Sequence, residues 1–242
     1  MITSLENEKV KLLIKLNQAK YRKKEQRFIV EGAHLVDEAR KANLLIECFS
    51  IDEIEGYTQV SIPVMNKIAN TDTTVTEIGL CKMIEKNELS DKILILDGVQ
   101  DPGNLGALMR SSKAFGFDTI VLGEGTVDIY NDKAIRASQG AIFKLNFIKA
   151  KLREFIPTLK DYNIYGTNVV NGIDLNDVEV TNKIGIVLGN EGNGISDEVN
   201  NLLAKNIYIP MNNTESLNVS VAGGIIMYSL ANKMNRWCSN YG

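Results

Sequence analysis

Two polar runs, far apart in the chain, hold the side chains best suited to chemistry. One is Leu96-Asp97-Gly98-Val99-Gln100-Asp101-Pro102-Gly103-Asn104-Leu105-Gly106-Ala107-Leu108-Met109-Arg110, and the other runs from Ile209-Pro210-Met211 through Ser216-Leu217-Asn218-Val219-Ser220 to Gly224. In each, an apolar stretch with strand character breaks at polar residues, and a helical apolar pattern begins. A strand-to-helix turn of this kind leaves backbone N–H groups free to receive an anionic or polar ligand. Ser216 stands where the second helix needs an N-cap. Asn104 and Arg110 are six residues apart. At about 100° per residue they do not share a helical face, so their spacing matters only if Asn104 lies in the turn. Such junctions also occur with no ligand at all.

A third run, Leu188-Gly189-Asn190-Glu191-Gly192-Asn193-Gly194-Ile195-Ser196, has the glycine spacing of a phosphate-binding loop but places Ile195 where that loop requires lysine. It lacks the last glycine and the early βαβ position of a dinucleotide site. What is left is a glycine loop after a buried strand, which either lets backbone approach a flat ligand such as adenine or simply leads into a helix. Cys48, Cys81 and Cys238 have neither metal nor redox spacing, and His34 is the lone histidine, remote in sequence from the polar runs. Histidine triads and histidine metal sites are thereby disfavoured, and no metal is expected.

The elements that must position these runs alternate. Lys92–Leu96 and Lys183–Leu188 are continuous apolar runs, the pattern of strands buried on both faces of a parallel sheet. Further strands are predicted at 119–122, 145–148, 163–167 and 206–209, with helices over 103–115, 131–138, 151–160 and from Ser216 to Trp237, which together describe an α/β domain. Upstream, Leu5 to Leu16 reads as an amphipathic helix, Tyr21–Arg27 as a basic turn, Phe28–Val30, Leu44–Ser50 and Gln59–Ile62 as strands, and the residues through Leu35, Val36 and Ala39 as a helix. A loop is predicted at 71–76 and a polar linker at 85–91, dividing the chain of 242 residues into domains 1–88 and 89–242.

Net charge is −3, but residues 1–27 hold eight Lys and Arg against three Glu, so a +5 end precedes a body of −8. A basic end on an acidic body suits docking to phosphates, although charge runs are more often solvated helix faces. There is no run of about 20 apolar residues and no signal-peptide core, so a cytoplasmic chain is expected.

Residues 93–228 resemble the TrmH/SpoU branch of the SPOUT RNA methyltransferases. The resemblance rests on Asp101-Pro102-x-Asn104-x-Gly106-x-x-x-Arg110, on Leu188-Gly189-Asn190-Glu191-Gly192-x-Gly194-x-Ser196, on Ile209-Pro210-Met211 with Ser216-Leu217-Asn218-Val219-Ser220-Val221-Ala222, and on Gly125 to Ala141, in order. Phe28-Ile29-Val30-Glu31-Gly32 with Leu35-Val36 and Glu38-Ala39 is similar to the L30e-like substrate-binding domain that precedes the methyltransferase in part of the family. The resemblance implies a parallel sheet closed by a C-terminal deep trefoil knot, a homodimer with shared active sites, and S-adenosylmethionine as methyl donor. It implies 2′-O-ribose methylation of RNA, with 23S ribosomal RNA favoured by the L30e-like domain. A tRNA enzyme and a non-catalytic RNA-binding ribosome-assembly protein are the alternatives. It assigns catalysis to Arg110, Asn104, Glu191, Ser216 and Asn218, and cofactor contacts to Thr167, Leu188, Gly189, Asn190, Gly192, Ile209, Met211 and Leu217; RNA contacts are expected from Arg22, Lys23 and Lys24 in the basic end and from Arg136. Two departures stand out: the 212–215 loop is one residue shorter than in many family members, and Ser229 follows Tyr228 where a glutamate is common.

Overall fold

A computed structural model describes residues 1–71, 75–84, 87–168, 172–213 and 216–241, the last seven by backbone alone. Parts of the expected 71–76 loop, the 85–91 linker and the 212–215 turn, with the side chain of Trp237, lie outside the described residues. The chain packs as two compact units, Met1–Glu85 with Asp128–Lys144, and Lys86–Val127 with Leu145–Gly242. This differs from a cut at 88/89 by the boundary residues 86–88, which go with the second unit, and by one longer stretch, 128–144. That stretch packs with the first unit because Tyr130 and Phe143 set their rings against Phe28, at 4.6 and 6.3 Å between centroids, and Asp128 pairs with Arg22 at 2.8 Å.

In the first unit, β1 (Arg27–Glu31), β2 (Leu45–Ser50), β3 (Thr58–Gln59) and β4 (Glu77–Lys82) form a sheet in the order β1-β4-β2-β3. Val10, Leu13 and Leu16 from the helix Glu8–Leu16 pack on Ile29, Phe49 and Ile78. Their helical spacing puts one apolar stripe on the sheet. Two helices depart from expectation. Ala19–Glu25, expected as a basic turn, is a helix closed by Gln26 at φ 52°. Ile62–Ile68 takes over from what looked like the end of a strand, with Pro63 in its first turn where no intrahelical N–H is needed.

The second unit is built on β5 (Lys92–Asp97), β6 (Thr119–Leu122), β7 (Asn146–Lys149), β8 (Asn163–Thr167), β9 (Ile173–Asp174), β10 (Ile184–Gly189) and β11 (Lys205–Tyr208). All seven run parallel, in the order β7-β6-β5-β10-β8-β11-β9. β10 is buried along its whole length and lies centrally, with Leu188 beside Leu96 and Gly189 beside Asp97. That register brings the glycine loop after β10 next to the polar turn after β5. The expected helix over 151–160 is shorter, Leu152–Phe155, and tightens into a 3-10 turn at Pro157. β9 and the short helix Asp197–Asn200 were not expected.

The helix Pro102–Phe115 follows β5, and Val219–Tyr241 closes the chain. These two helices lie against each other: a Cβ on Gly223 would stand 2.6 Å from a methyl group of Leu108, so any larger residue would have to push that side chain aside. Ile226, Met227 and Leu230 are buried on the same side.

Candidate active site

The first polar turn is fixed by its own helix. Asp101 is the N-cap, accepting the Asn104 N–H at 2.8 Å, and Pro102 takes the first helical position. Asn104 is therefore in the first turn of the helix and not in the turn before it, while Arg110 lies further along with its side chain exposed. Arg110 makes no hydrogen bond or ion pair with any described residue.

The glycine loop folds back on itself. Asn190 and Gly194 exchange both backbone hydrogen bonds at 2.9 Å, and Asn190 Oδ1 accepts from the N–H groups of Gly192 and Asn193. Asn190 Nδ2 donates to the Gly98 carbonyl at 2.9 Å, which ties the loop to the β5 turn. Asp97 adds a second tie by accepting the Ser196 N–H at 2.7 Å.

Glu191 joins the three runs. Its carboxylate accepts the N–H groups of Gln100 and Asp101, each at 3.0 Å, and the Asn104 side-chain amide at 3.2 Å. Asn104 Oδ1 in turn accepts Asn218 Nδ2 at 2.9 Å. Asn218 Oδ1 accepts the N–H groups of Ser220 and Val221 and the Ser220 hydroxyl, so Asn218, not Ser216, caps the last helix. Each amide is thus fixed in orientation by what flanks it. Desolvation works to raise the Glu191 pKa, but the hydrogen bonds from Gln100, Asp101 and Asn104 outweigh it and hold the carboxyl below its ordinary value. The sequence reading named Asn104, Glu191 and Asn218 but missed Gln100, Asp101 and Asp97. The Asp101-Pro102 pair, a helix-start signature, was the available signal.

Beyond this relay, an open cavity of about 750 Å³ lies at the carboxyl ends of β8, β10 and β11. Ligands of open parallel sheets bind at these ends. Thr167, Leu188, Gly189, Asn190, Gly192, Ile209, Met211 and Leu217 all line it, as do Glu191, Ser216 and Asn218; Asn104 reaches it through its bonds to Glu191 and Asn218, and Arg110 is not among the lining residues. Ile207, Ala222 and Ile226 add apolar wall that the sequence reading did not single out. The volume is within the usual range for small-molecule sites. Its mixture of aliphatic side chains and glycine backbone suits a flat heterocycle carrying a polar tail.

The residues assigned to RNA divide. Lys23 and Lys24 are exposed. Arg22 departs from expectation: it is 7% exposed, donates to the carbonyls of Leu16 and Asn17, and pairs with Asp128. A guanidinium so engaged supports the fold and does not offer itself to phosphate. Arg136 is held by Asp132 at 2.9 Å and Glu31 at 3.5 Å. Among the described residues there is no cluster of three or more His, Cys, Asp or Glu able to hold a metal, and no helix long and apolar enough to cross a membrane.

A doubly polar turn, a glycine loop and a cavity at the carboxyl edge of a parallel sheet define a class. The chain belongs to the SpoU rRNA Methylase family, whose model matches residues 91–228, and residues 7–79 match the MRM3-like substrate binding domain. Over 244 aligned residues it is 35% identical to the 23S rRNA (guanosine(2553)-2′-O)-methyltransferase RlmP of Bacillus subtilis, covering 95% of this chain and 98% of that one. A crystal structure of an RNA 2′-O ribose methyltransferase superposes with a TM-score of 0.82 at 26% identity, covering 97% of this chain and 99% of the other. The SpoU methyltransferase AviRb of Streptomyces viridochromogenes, solved in complex with the cofactor AdoMet, shares the fold at a TM-score of 0.86 and 18% identity, covering 95% and 99% of the two chains.

Proposed function

We propose that the protein transfers a methyl group from S-adenosylmethionine to a ribose 2′-hydroxyl of 23S ribosomal RNA. The observation that carries this reading is the Glu191–Asn104–Asn218 relay at the edge of the cavity. Leu188, Ile209, Met211 and Leu217 would hold the adenosine, with the Gly189–Gly192 backbone offering polar groups beside it and Thr167 at the β8 end. Bound S-adenosylmethionine supplies an electrophilic methyl on a positive sulfonium.

The chain's own residues do the rest. Arginine remains protonated in proteins, so Arg110 acts as a cation and not as a base. It grips the phosphate beside the target ribose and stabilises the charge that develops on the 2′-oxygen. The hydroxyl proton passes to a phosphate oxygen or to water. Asn104, Ser216 and Asn218 orient the ribose and phosphate, and Glu191 fixes Asn104.

Residues 1–88 serve RNA docking and 89–242 catalysis, in a cytoplasmic protein. The C-terminal segment passes through a deep trefoil knot, as the family resemblance implies. Two copies pair through the last helix, where Val221, Ile225 and Tyr228 are exposed at 49%, 39% and 56% on one side. Near-full-length similarity to an enzyme that methylates a 23S guanosine supports the substrate.

Calorimetry with S-adenosylmethionine tests the cofactor, and absence of binding at millimolar ligand would sink the enzyme reading. Ribose-methylation mapping of total RNA from deletion and parent strains tests the substrate. Loss of one 2′-O-methyl in 23S rRNA is expected. Loss confined to a tRNA would overturn the substrate and leave the chemistry standing.

A further inference from the structure

The basic excess at the start of the chain consists of two kinds of cation. Lys9 is paired with Glu47, Lys11 with Glu6 and Glu8, and Arg22 is buried against Asp128. Lys15, Lys20, Lys23, Lys24 and Arg27 make no ion pair with any described residue. The ammonium groups of Lys15 and Lys20 stand 5.9 and 4.8 Å from the centre of the Tyr21 ring, which joins the end of one helix to the start of the next. Lys23 and Lys24 follow Lys20 by three and four residues on the helix Ala19–Glu25, the spacing of surface neighbours.

Where that helix ends, Gln26 turns the chain into β1, and Arg27 falls directly opposite Lys82 on β4. Residues paired in this way on antiparallel strands project from the same face, and like charges there repel. Neither has a carboxylate partner among the described residues. Other exposed lysines of the unit divide: Lys41 is matched by Asp37 and Glu38 and Lys144 by Glu38, whereas Lys67 and Lys133 make no ion pair with any described residue. What marks this face is therefore the like-charge pairing of Arg27 with Lys82 and the shared Tyr21 ring, not the lack of ion pairs. An unmatched cationic pair costs stability that an anionic partner would return.

We propose that Lys15, Lys20, Lys23, Lys24, Arg27 and Lys82 form one docking face for the phosphates of folded RNA, with Arg22 as the buried anchor beneath it. This rests on the reading of the chain as an RNA methyltransferase and moves the contact surface from Arg22 to the cations around it. Two phosphates sit at the ends of the face: one between Arg27 and Lys82, one at the ammonium pair held beside Tyr21. Shape and phosphate spacing, not base identity, are what such a face reads.

Filter binding of in-vitro transcribed 23S rRNA at several potassium chloride concentrations tests this, with the double variants Arg27→Gln/Lys82→Gln and Lys15→Gln/Lys20→Gln. Each should lose about tenfold in affinity and flatten the logarithmic salt slope by about one to two, the share of one or two phosphate contacts. The Arg27→Gln/Lys82→Gln chain should also melt higher than the parent, because the repulsion is gone, and bind S-adenosylmethionine as the parent does. A higher melting temperature with unchanged RNA affinity and slope would overturn the proposal. Reduced binding to phosphatidylglycerol vesicles with unchanged RNA binding would overturn it in favour of a membrane surface. If the parent binds S-adenosylmethionine but not the transcript, the docking face falls and the cofactor reading stands. If the variants lose RNA while the parent binds no S-adenosylmethionine, the face stands and the methyltransferase reading falls.

Discussion

Arg110 has an exposed side chain with no partner among the described residues, on a helix whose first turn is tightly bonded. A guanidinium placed so makes no contact that the fold needs and keeps its rotamer freedom, which leaves it available to a ligand. Arg110→Ala should leave S-adenosylmethionine affinity near the parent value while single-turnover methylation falls by ~10²–10⁴, the scale of one lost transition-state contact. Equal losses in affinity and rate would make it a pocket residue instead. Glu191 gives a second test at this scale. Its carboxyl has a lower pKa folded than the unfolded value of about 4.3. It therefore adds stability above the unfolded pKa and loses it as pH falls through the folded one. Below about pH 4.5 the parent's melting temperature should fall more steeply with acid than that of Glu191→Gln, which has no carboxylate to protonate. Parallel profiles would remove the carboxylate from the relay. At this scale the sequence made the relay's members legible but not their wiring. Arg22 was illegible because its burial depends on Asp128, over a hundred residues away.

The glycine loop and the last helix behave as elements, and each rests on one unusual contact. A Cβ on Gly189 would lie 2.1 Å from the Gly194 carbonyl carbon and 2.2 Å from the Ile195 nitrogen, both backbone atoms that cannot step aside alone. Gly189→Ala must open the loop, at a cost on the order of 1–3 kcal/mol for an overpacked site, and cofactor affinity should fall ~5- to 150-fold. An unchanged dissociation constant by calorimetry would mean that the loop does not shape the cavity. In the last helix, Lys233 donates to three carbonyls, those of Leu175, Asn176 and Val178, at 3.0, 2.7 and 3.1 Å. These follow β9, the edge strand that pairs with β11 just before Ile209. Lys233→Met should cost about 2–3 kcal/mol in chemical denaturation, since it leaves carbonyls unmatched beside an apolar tip. A loss below about 0.5 kcal/mol would be that of an ordinary surface change. Continuous apolar runs made β5 and β10 plain in the sequence. The helix Ala19–Glu25 was not plain, because Lys20, Lys23, Lys24 and Glu25 give it little apolar stripe and its stability comes from the anchored Arg22. Ile62–Ile68 was hidden by the β-branched residues at its start.

At the scale of the whole molecule, the strand order β7-β6-β5-β10-β8-β11-β9 was invisible in the sequence. Strands buried on both faces carry nearly the same apolar pattern, so pattern alone cannot rank them. The proposed association with a second copy would be more legible, because it would leave an unmatched face. The last helix buries Ile226, Met227 and Leu230 within its own unit, yet leaves Val221, Ile225 and Tyr228 exposed at i, i+4 and i+7. Tyr228 meets Phe115 edge-on at 5.5 Å, so the exposed stripe continues onto the helix that carries Arg110. A two-fold interface there would repeat the same patch on both copies and bring each Arg110 helix towards its partner. A stable interface needs about 800 Å² from each copy, more than these three side chains supply, so the Pro102–Phe115 helix must contribute too. Sedimentation of the parent chain should therefore give a dimer at micromolar concentration. Ile225→Glu/Tyr228→Asp should give a folded monomer that still binds S-adenosylmethionine but methylates RNA far more slowly. A parent that sediments as a monomer at every concentration would end the dimer proposal. A monomeric variant with undiminished turnover would keep the interface but take it out of the active site.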